Sequence, residues 1–284
     1  MKKLITILLV AVLSIATVFS ITGCAPKAKL KVKDIELTAE TYAFAVNKSN
    51  TTLKDQVDGI MNDLIDSGEL TTIINSFFTG DATFAYTNPA APTQANKADY
   101  LVVGTNAYFP PFEMYNGSKL TGIDMKIASI IATELGKTLY INDMDFDSLI
   151  PAVQNNEIDI AMAGMTVNEE RLQQVNFTVG YYESAQVITV LESDTTFDEC
   201  ETASDVEEIL QTKNKSYIIG TQTGTTGYMY SAGDEGFGYT GFTNLTTKSF
   251  STGALAMKDL QNGKINAVIL DKQPSLMITK SMNK

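Results

Sequence analysis

The sequence predicts an α/β fold built from two similar lobes. Short apolar runs alternate with segments of helical periodicity, as where residues 100–104 (YLVVG) precede isoleucines at helical spacing over 127–131. Such alternation is typical of mostly parallel sheets covered by helices. Internal sequence similarity favours two lobes. Residues 100–106 resemble residues 217–222, and residues 152–160 resemble residues 259–267. Unrelated strand–helix units can also have similar residues where strands and helices end. The length of 284 residues is compatible with two modest lobes or one large domain.

The first element is an N-terminal leader. Residues 1–23 begin with two lysines, continue with an apolar run over 4–21 and end in small residues before Cys24. This is the layout of a secretory signal peptide, although an apolar run of this length also suits an uncleaved membrane anchor. Residues 21–24 (ITGC) resemble the lipobox of bacterial lipoproteins, which implies lipidation of Cys24. Residues 24–29 would then tether the protein to the outer face of the cell membrane, on its extracellular or periplasmic side.

Two helices and a linker come next. Apolar positions over residues 53–65 and 70–78 have helical spacing, and Gly68 between them predicts the end of one helix and the start of the next. Residues 81–99 have no periodicity and contain two prolines, which predicts a linker. The last elements are an apolar strand at 265–270 and a helix at 275–281.

Composition excludes several classes of function. The 33 acidic residues outnumber the 21 basic ones, and the net charge of -12 becomes -14 without the leader, so the chain is a poor nucleic-acid binder. The absence of histidine excludes Ser-His and Cys-His nucleophiles and histidine-bound metals. Because Cys200 is alone in the chain beyond Cys24, we expect no intramolecular disulfide. We also expect neither a metal nor a cofactor.

The residues that follow predicted strands are candidates for a site, because ligands of open α/β sheets bind beyond the carboxyl ends of the strands. Asn106 begins a turn that contains Phe109 and two prolines. Its clustered aromatic rings either offer a flat apolar surface to a ligand or pack the loop itself.

Arg171 is the only arginine among the 21 basic residues. It follows a strand end formed by Gly164, Met165 and Thr166. Its planar guanidinium suits a carboxylate, which it can hold by two parallel hydrogen bonds. A surface ion pair with one of the two preceding glutamates is equally compatible with the sequence.

The turn 223–227 (TGTTG) contains Thr225 and Thr226 and would expose backbone N–H groups to an anion. It lacks the Lys-Ser/Thr pair of a P-loop, so we expect no nucleotide phosphate there. Asp271 ends the last predicted strand and suits an ammonium group, although it could instead cap the following helix. A fixed cation with hydroxyls, an anion and aromatic faces together match a free α-amino acid.

Five motifs lie along the mature chain: 104–113 (GTNAYFPPFE), 120–124 (LTGID), 145–152 (DFDSLIPA), 162–166 (MAGMT) with Arg171, and 176–182 (NFTVGYY). They resemble the solute-binding proteins of ABC importers for polar amino acids, family 3 of the bacterial extracellular solute-binding proteins. The resemblance implies a two-lobed type II periplasmic-binding-protein fold with a two-strand hinge. It also implies a monomer that captures an amino acid without catalysis and delivers it to the permease subunits of an ABC importer.

The resemblance also implies roles at the ligand backbone. Arg171 and Thr166 would hold the ligand carboxylate with help from Thr226, while Asp271 and the backbone of Gly164 would take the ammonium group.

Two further implications concern the ligand side chain, which Phe109 and Phe146 would clasp. Members that bind basic amino acids usually have aspartate where Asn106 stands. Gln222 likewise stands where some relatives have a charged residue. Both departures favour an uncharged ligand side chain.

The order of segments departs from the family. Residues 40–78 look like the family's C-terminal segment, yet here they precede the first lobe, so the sequence looks circularly permuted. We therefore predict the following division: first lobe at 42–80 and 100–186, linker at 81–99, second lobe at 30–38 and 191–284, and hinge crossings at 39–42 and 186–191.

Two other functions stay open at this point. Some relatives of the family are dehydratases that act on cyclic carboxylates, and such chemistry would need a general acid in the cleft. Glu113, Asp145 and Glu183 are the candidates, although the sequence favours a solvated surface position for each of them. A surface adhesin or sensor is compatible with a lipid anchor, and no other feature supports it.

Overall fold

A computed structural model describes residues 27–284 of the chain. The predicted signal peptide, Cys24 and the first part of the tether lie outside these residues. The strands are β1 Leu30–Lys33, β2 Glu40–Tyr42, β3 Ala45–Val46, β4 Tyr100–Thr105, β5 Tyr108–Phe109, β6 Glu113–Asn116, β7 Lys119–Thr121, β8 Thr138–Asp143, β9 Ile160–Ala161, β10 Asn176–Phe177, β11 Tyr182–Ser184, β12 Gln186–Leu191, β13 Ile218–Gln222, β14 Thr246–Phe250 and β15 Ala267–Asp271. The helices are α1 Thr51–Asp66, α2 Glu69–Thr79, α3 Ile123–Glu134, α4 Leu149–Gln154, α5 Glu169–Gln174, α6 Ala203–Gln211, α7 Thr226–Ala232, α8 Gly253–Gln261 and α9 Lys272–Met282.

Two five-stranded sheets organise the fold. The first lobe is built on the sheet β10-β3-β9-β4-β8, in which β4 runs parallel to both β8 and β9. The second lobe is built on the sheet β1-β12-β15-β13-β14, in which β13 runs parallel to both β14 and β15. Antiparallel strands complete each sheet on one side. The predicted two-lobed α/β fold is confirmed.

The helices α1 and α2 form where the apolar spacing predicts them. Asn50 caps α1 by accepting a hydrogen bond from the Leu53 N–H at 3.2 Å. Gly68 separates the two helices with a φ of 76°, in the left-handed region that glycine adopts without strain. The buried face of α1, including Val57 and Met61, joins the same apolar core as Leu101 of β4. The two helices therefore pack on the first lobe.

The two ends of the described chain meet in the second lobe. β1 pairs antiparallel with β12, so that Leu30 lies opposite Leu191. The Asn283 side chain accepts a hydrogen bond from the Leu30 N–H at 2.9 Å and donates one to the Leu30 carbonyl at 2.8 Å. The end of α9 is thereby fastened to the beginning of β1.

The two strands that pass between the lobes are β2 and β11, which pair antiparallel with Thr41 opposite Glu183. The prediction placed the second crossing at 186–191, and the structure places it earlier. Residues 186–191 form β12, which lies between β1 and β15 inside the five-stranded sheet. The reason is pairing on both sides, because Ile188 lies opposite Lys33 of β1 and opposite Ile269 of β15, as in an inner strand of a sheet.

Residues 81–99 run along the first lobe with little regular structure. The backbone of Tyr86 exchanges two hydrogen bonds with Leu120 at 2.7 and 2.9 Å. The side chain of Asn88 donates to the Ile141 carbonyl at 2.7 Å and accepts from the Ile141 N–H at 2.9 Å. The segment therefore covers the free edge of β8. Within residues 27–284, none of the helices combines the length and apolar character needed to cross a membrane.

Candidate functional site

The residues predicted from the sequence converge on a cavity between the two lobes. It lies beyond the carboxyl ends of β4, β9, β13 and β15, as expected for open α/β sheets. Its lining comprises Asn106, Phe109, Glu113, Phe146, Gly164, Thr166, Arg171, Gln222, Thr225, Thr226 and Asp271. Ten of these residues were predicted, and Glu113 was named only as a possible acid.

Met165 differs from the prediction. Its side chain does not line the cavity and packs in the apolar core beside Leu149 and Val153. Burial explains this, because the apolar side chain is 1% exposed and is more stable in the apolar core than beside polar groups. The Met165 carbonyl accepts a hydrogen bond from the Ala43 N–H at 3.1 Å, so this residue ties the cavity wall to the first-lobe sheet.

The backbone of Gly164 packs closely against the ring of Phe109. Its φ is 54°, and a Cβ at this position would lie 2.6 Å from a ring carbon of Phe109. Only glycine allows this close approach. The Phe109 ring in turn packs against Tyr42 and Phe112, with centroids 6.4 and 5.9 Å away. The aromatic residues of the first turn thus both fill the core and face the cavity.

Arg171 is fixed in place on several sides. It is 4% exposed. Its Nη1 donates to the Thr166 carbonyl at 2.6 Å, and its Nη2 donates across the cleft to the Gly224 carbonyl at 3.0 Å. Its guanidinium carbon lies 5.5 Å from the ring centre of Phe146 and 5.4 Å from that of Phe237. The surface ion pair that the sequence allowed is therefore not the role of this side chain.

Burial lowers the pKa of Arg171 to about 10, while nearby acids act in the opposite direction. At neutral pH the guanidinium is charged and held at one end of the cavity. It is positioned to bind a carboxylate.

Asp271 supplies the opposite charge. Its Oδ1 accepts a hydrogen bond from the Tyr42 hydroxyl at 2.5 Å. Burial, followed by repulsion from Glu40, raises the pKa of Asp271 to about 7. The carboxyl is therefore poised to become fully ionised when a cation approaches it, as an ammonium group would.

Glu40 is a buried acid of the cleft that the sequence reasoning missed. Its carboxylate accepts hydrogen bonds from the Thr38 hydroxyl at 2.6 Å, the Gln186 amide at 2.9 Å and the Thr166 hydroxyl at 2.5 Å. These bonds connect the crossing strand to both lobes. Its position beside Tyr42 on a crossing strand could have marked it, because side chains there necessarily lie near the cleft.

Two carboxamides meet across the cleft. Gln222 Nε2 donates to Asn106 Oδ1 at 3.0 Å, and Asn106 Nδ2 donates to the Met144 carbonyl at 2.8 Å. Gln222 Oε1 accepts from the Gly253 N–H at 3.2 Å. This end of the cavity is polar, and its amides carry no charge.

The threonine turn lies at the start of α7. Thr225 precedes the first residue of the helix, and its hydroxyl donates to the Gln222 carbonyl at 2.8 Å. The buried Thr226 hydroxyl meets no hydrogen-bond partner within residues 27–284. Buried hydroxyls are normally bonded, so Thr226 is available to a ligand oxygen.

The lobes nearly touch at the cavity. Its volume is ≈ 10 Å³, about the room that one water molecule needs. A molecule larger than water can therefore enter only when the lobes separate, and β2 and β11 are the strands that join the lobes.

The three candidate general acids have different surroundings. Glu113 is fully buried and lines the cavity, whereas Asp145 and Glu183 are exposed and do not. Glu183 accepts a hydrogen bond from the Thr41 hydroxyl at 3.0 Å. Within residues 27–284 no three His, Cys, Asp or Glu side chains form a group that could hold a metal.

The fold has two lobes with a small polar cavity between them. The chain belongs to the bacterial extracellular solute-binding proteins, family 3, whose pattern matches residues 101–273.

Several relatives and solved structures are similar to it. The "Putative ABC transporter arginine-binding protein 2" of Escherichia coli (strain K12) is 29% identical over 178 residues, covering 62% of this chain and 65% of the relative. The "Probable histidine-binding protein" of Campylobacter jejuni is 30% identical over 184 residues, covering 64% of each chain. "Arginine-binding extracellular protein ArtP" of Bacillus subtilis is 38% identical over 88 residues, 31% of this chain and 34% of the relative. The match thus spans a third to just under two thirds of these relatives.

Two solved structures share the architecture. A mutant of ArgBP from T. maritima has a TM-score of 0.56 and 31% identity, covering 66% of this chain and 75% of that one. An ancestral amino acid-binding protein described as a precursor of cyclohexadienyl dehydratase has a TM-score of 0.56 and 27% identity, covering 65% and 75%.

Proposed function

We propose that this protein captures a free L-amino acid between its lobes and delivers it to an ABC importer. The observation that carries the proposal is the pair of fixed opposite charges, Arg171 and Asp271, in one cavity with the free hydroxyl of Thr226. A zwitterion places a carboxylate and an ammonium group a few ångströms apart, and this pair complements both. The names of the relatives support the proposal, because they describe arginine- and histidine-binding proteins and one of them names an ABC transporter.

We further propose an uncharged polar side chain for the ligand. The facing carboxamides of Asn106 and Gln222 support this, because they offer hydrogen bonds without charge. The opposing candidate is a cationic amino acid, which the names of the arginine- and histidine-binding relatives favour.

A thermal-shift screen followed by calorimetry separates these ligands. The chain from Ala25 onward is screened against the common amino acids, with glutamine and asparagine expected to stabilise it more than arginine, lysine or histidine. A ligand at 100 times its Kd stabilises by about 2.7 kcal/mol, which is easily measured. If no amino acid raises the unfolding temperature, the proposed function is wrong.

An enzyme on the same scaffold is the second candidate, favoured by the likeness to a dehydratase precursor and by the buried acid Glu113 in the cavity. Turnover of a cyclic carboxylate, in the absence of tight amino-acid binding, would support it.

We propose that a lipid on Cys24 holds the protein at the outer face of the membrane. The residues ITGC at 21–24 support this proposal. Two acyl chains, at ~0.8 kcal/mol per buried methylene, give stable attachment. Cys24→Ala is expected to abolish palmitate labelling and to release the protein from membranes, whereas Cys200→Ala should change neither. Continued labelling of the Cys24→Ala protein would contradict the lipoprotein assignment.

We also propose that the chain is circularly permuted relative to its family. The support is the order of segments and the fastening of Asn283 to Leu30, which leaves a short gap between those ends. A variant that joins Lys284 to Leu30 by a short loop and opens new ends within 81–99 should fold and bind like the parent. Its unfolding temperature and Kd test this. A matched variant opened inside β4 should not fold, and failure of both variants would contradict the proposal.

A further inference from the structure

Two buried acids lie next to each other beside the cavity. Glu113 comes from β6 and Asp124 from the first turn of α3, and both are 0% exposed. Their backbones are neighbours, because the Asp124 N–H donates to the carbonyl of Phe112, the residue before Glu113, at 2.9 Å. Each carboxyl acts on the pKa of the other as a hydrogen-bond partner. Glu113 lines the cavity, as do Asn106 and Gln222.

The two acids differ in the hydrogen-bond donors that surround them. Asp124 accepts from the Tyr181 hydroxyl at 2.6 Å through one oxygen and from the Gly164 N–H at 3.0 Å through the other. Neither oxygen of Glu113 meets a donor within the described residues. A carboxylate without donors or a counter-ion is costly to bury.

The surroundings favour one proton on the pair. The other charged groups acting on Glu113 are the acids Asp143 and Asp271, while Arg171 is engaged by two backbone carbonyls. Burial, followed by repulsion from Asp124, raises the pKa of Glu113 well above its ordinary value. Burial raises the pKa of Asp124 to about 7, while its bonds from Tyr181 and Gly164 act in the opposite direction. Above that pH, the arrangement that satisfies both groups is a neutral Glu113 donating to an ionised Asp124.

We infer that Glu113 and Asp124 share one proton, and that this proton sets which amino-acid side chain the cleft accepts. In its neutral form Glu113 keeps a carbonyl oxygen that can accept a hydrogen bond from an uncharged amide. A guanidinium or ammonium side chain needs the carboxylate, so its binding must expel the proton. The part that concerns ligand choice rests on the proposed amino-acid binding.

The test compares L-arginine with L-glutamine by calorimetry from pH 5.5 to 8.5. Both ligands carry the same α-ammonium and α-carboxylate groups, so the ratio of their affinities cancels the titration of Asp271. The arginine-to-glutamine ratio should rise at least tenfold over this range in the parent and in Glu134→Gln, an exposed control on α3. It should be flat in Glu113→Gln, whose amide can donate to Asp124 as the acid does. A flat ratio in the parent would overturn the inference on ligand choice.

A second measurement needs neither binding nor a variant. In ligand-free protein labelled with ¹³C at the glutamate carboxyl carbons, one resonance should stay in the protonated position above pH 6.5, and Glu113→Gln should remove it. If every glutamate titrates below pH 5.5, the shared proton is refuted. If that resonance is present but no amino acid binds, the proposed function fails while the shared proton stands.

Discussion

Replacing Arg171 with lysine is expected to weaken amino-acid binding tenfold or more. Lysine keeps a positive charge but loses the planar fork that can hold two carboxylate oxygens at once. It also loses the contacts with the rings of Phe146 and Phe237 and the bond across the cleft to the Gly224 carbonyl. Tenfold corresponds to about 1.4 kcal/mol.

Calorimetric Kd values for the Arg171→Lys protein and its parent measure this effect. The exposed exchange Lys280→Arg serves as the matched control and should leave the Kd unchanged. Thermal unfolding of each ligand-free variant shows whether it is folded. A Kd for Arg171→Lys within twofold of the parent value would remove Arg171 from the binding site.

Replacing Asp271 with asparagine is expected to have an even larger effect. Removing one partner of a buried charge pair costs about 2 to 5 kcal/mol, which is roughly thirtyfold or more in Kd. Asparagine has nearly the same shape and can still accept the Tyr42 hydroxyl. The ligand-free variant should therefore be no less stable than the parent, and it should gain from relief of the repulsion with Glu40. Lost affinity together with a clearly lowered unfolding temperature would indicate a structural role instead.

The same residue gives binding a pH dependence of defined sign. Because the pKa of Asp271 is raised to about 7 in the folded protein, the ligand-free carboxyl takes up a proton below that pH. An ammonium group binds the carboxylate, so affinity should fall as the pH drops from 8 to 5.5, by up to about tenfold per pH unit below 7. The stability of the ligand-free protein has the opposite pH dependence: the folded state holds the extra proton, so this contribution is present at low pH and lost as the pH rises through 7. The Asp271→Asn protein should lack this contribution to the pH dependence of both affinity and stability.

Local patterns predicted much of the site. Glycine breaks and strand ends can be read from neighbouring residues, and they identify Asn106, Gly164, Thr226 and Asp271 because each follows a strand whose end faces the cleft. The break between α1 and α2 at Gly68 was predictable for the same reason.

What escaped prediction depends on distant parts of the chain. Glu40 gains its importance from Gln186 and Thr166, which are far away in sequence. Phe237 belongs to a loop of the second lobe, and it lies against Arg171 of the first lobe, far away in sequence. The position of the crossing at β11 rather than at residues 186–191 depended on which apolar strand became an inner one, and that is decided by packing of the whole sheet.

The position of β1 in the sheet of the second lobe bears on which lobe can move. The chain leaves residues 27–29 directly into an edge strand of the second lobe, and Asn283 secures that strand at its first residue. If the proposed lipid on Cys24 anchors the chain, the second lobe is the lobe attached to the membrane, because both crossing strands come after β1 in the chain. The first lobe, which carries α1 and α2, would then be the one that moves when the cleft opens.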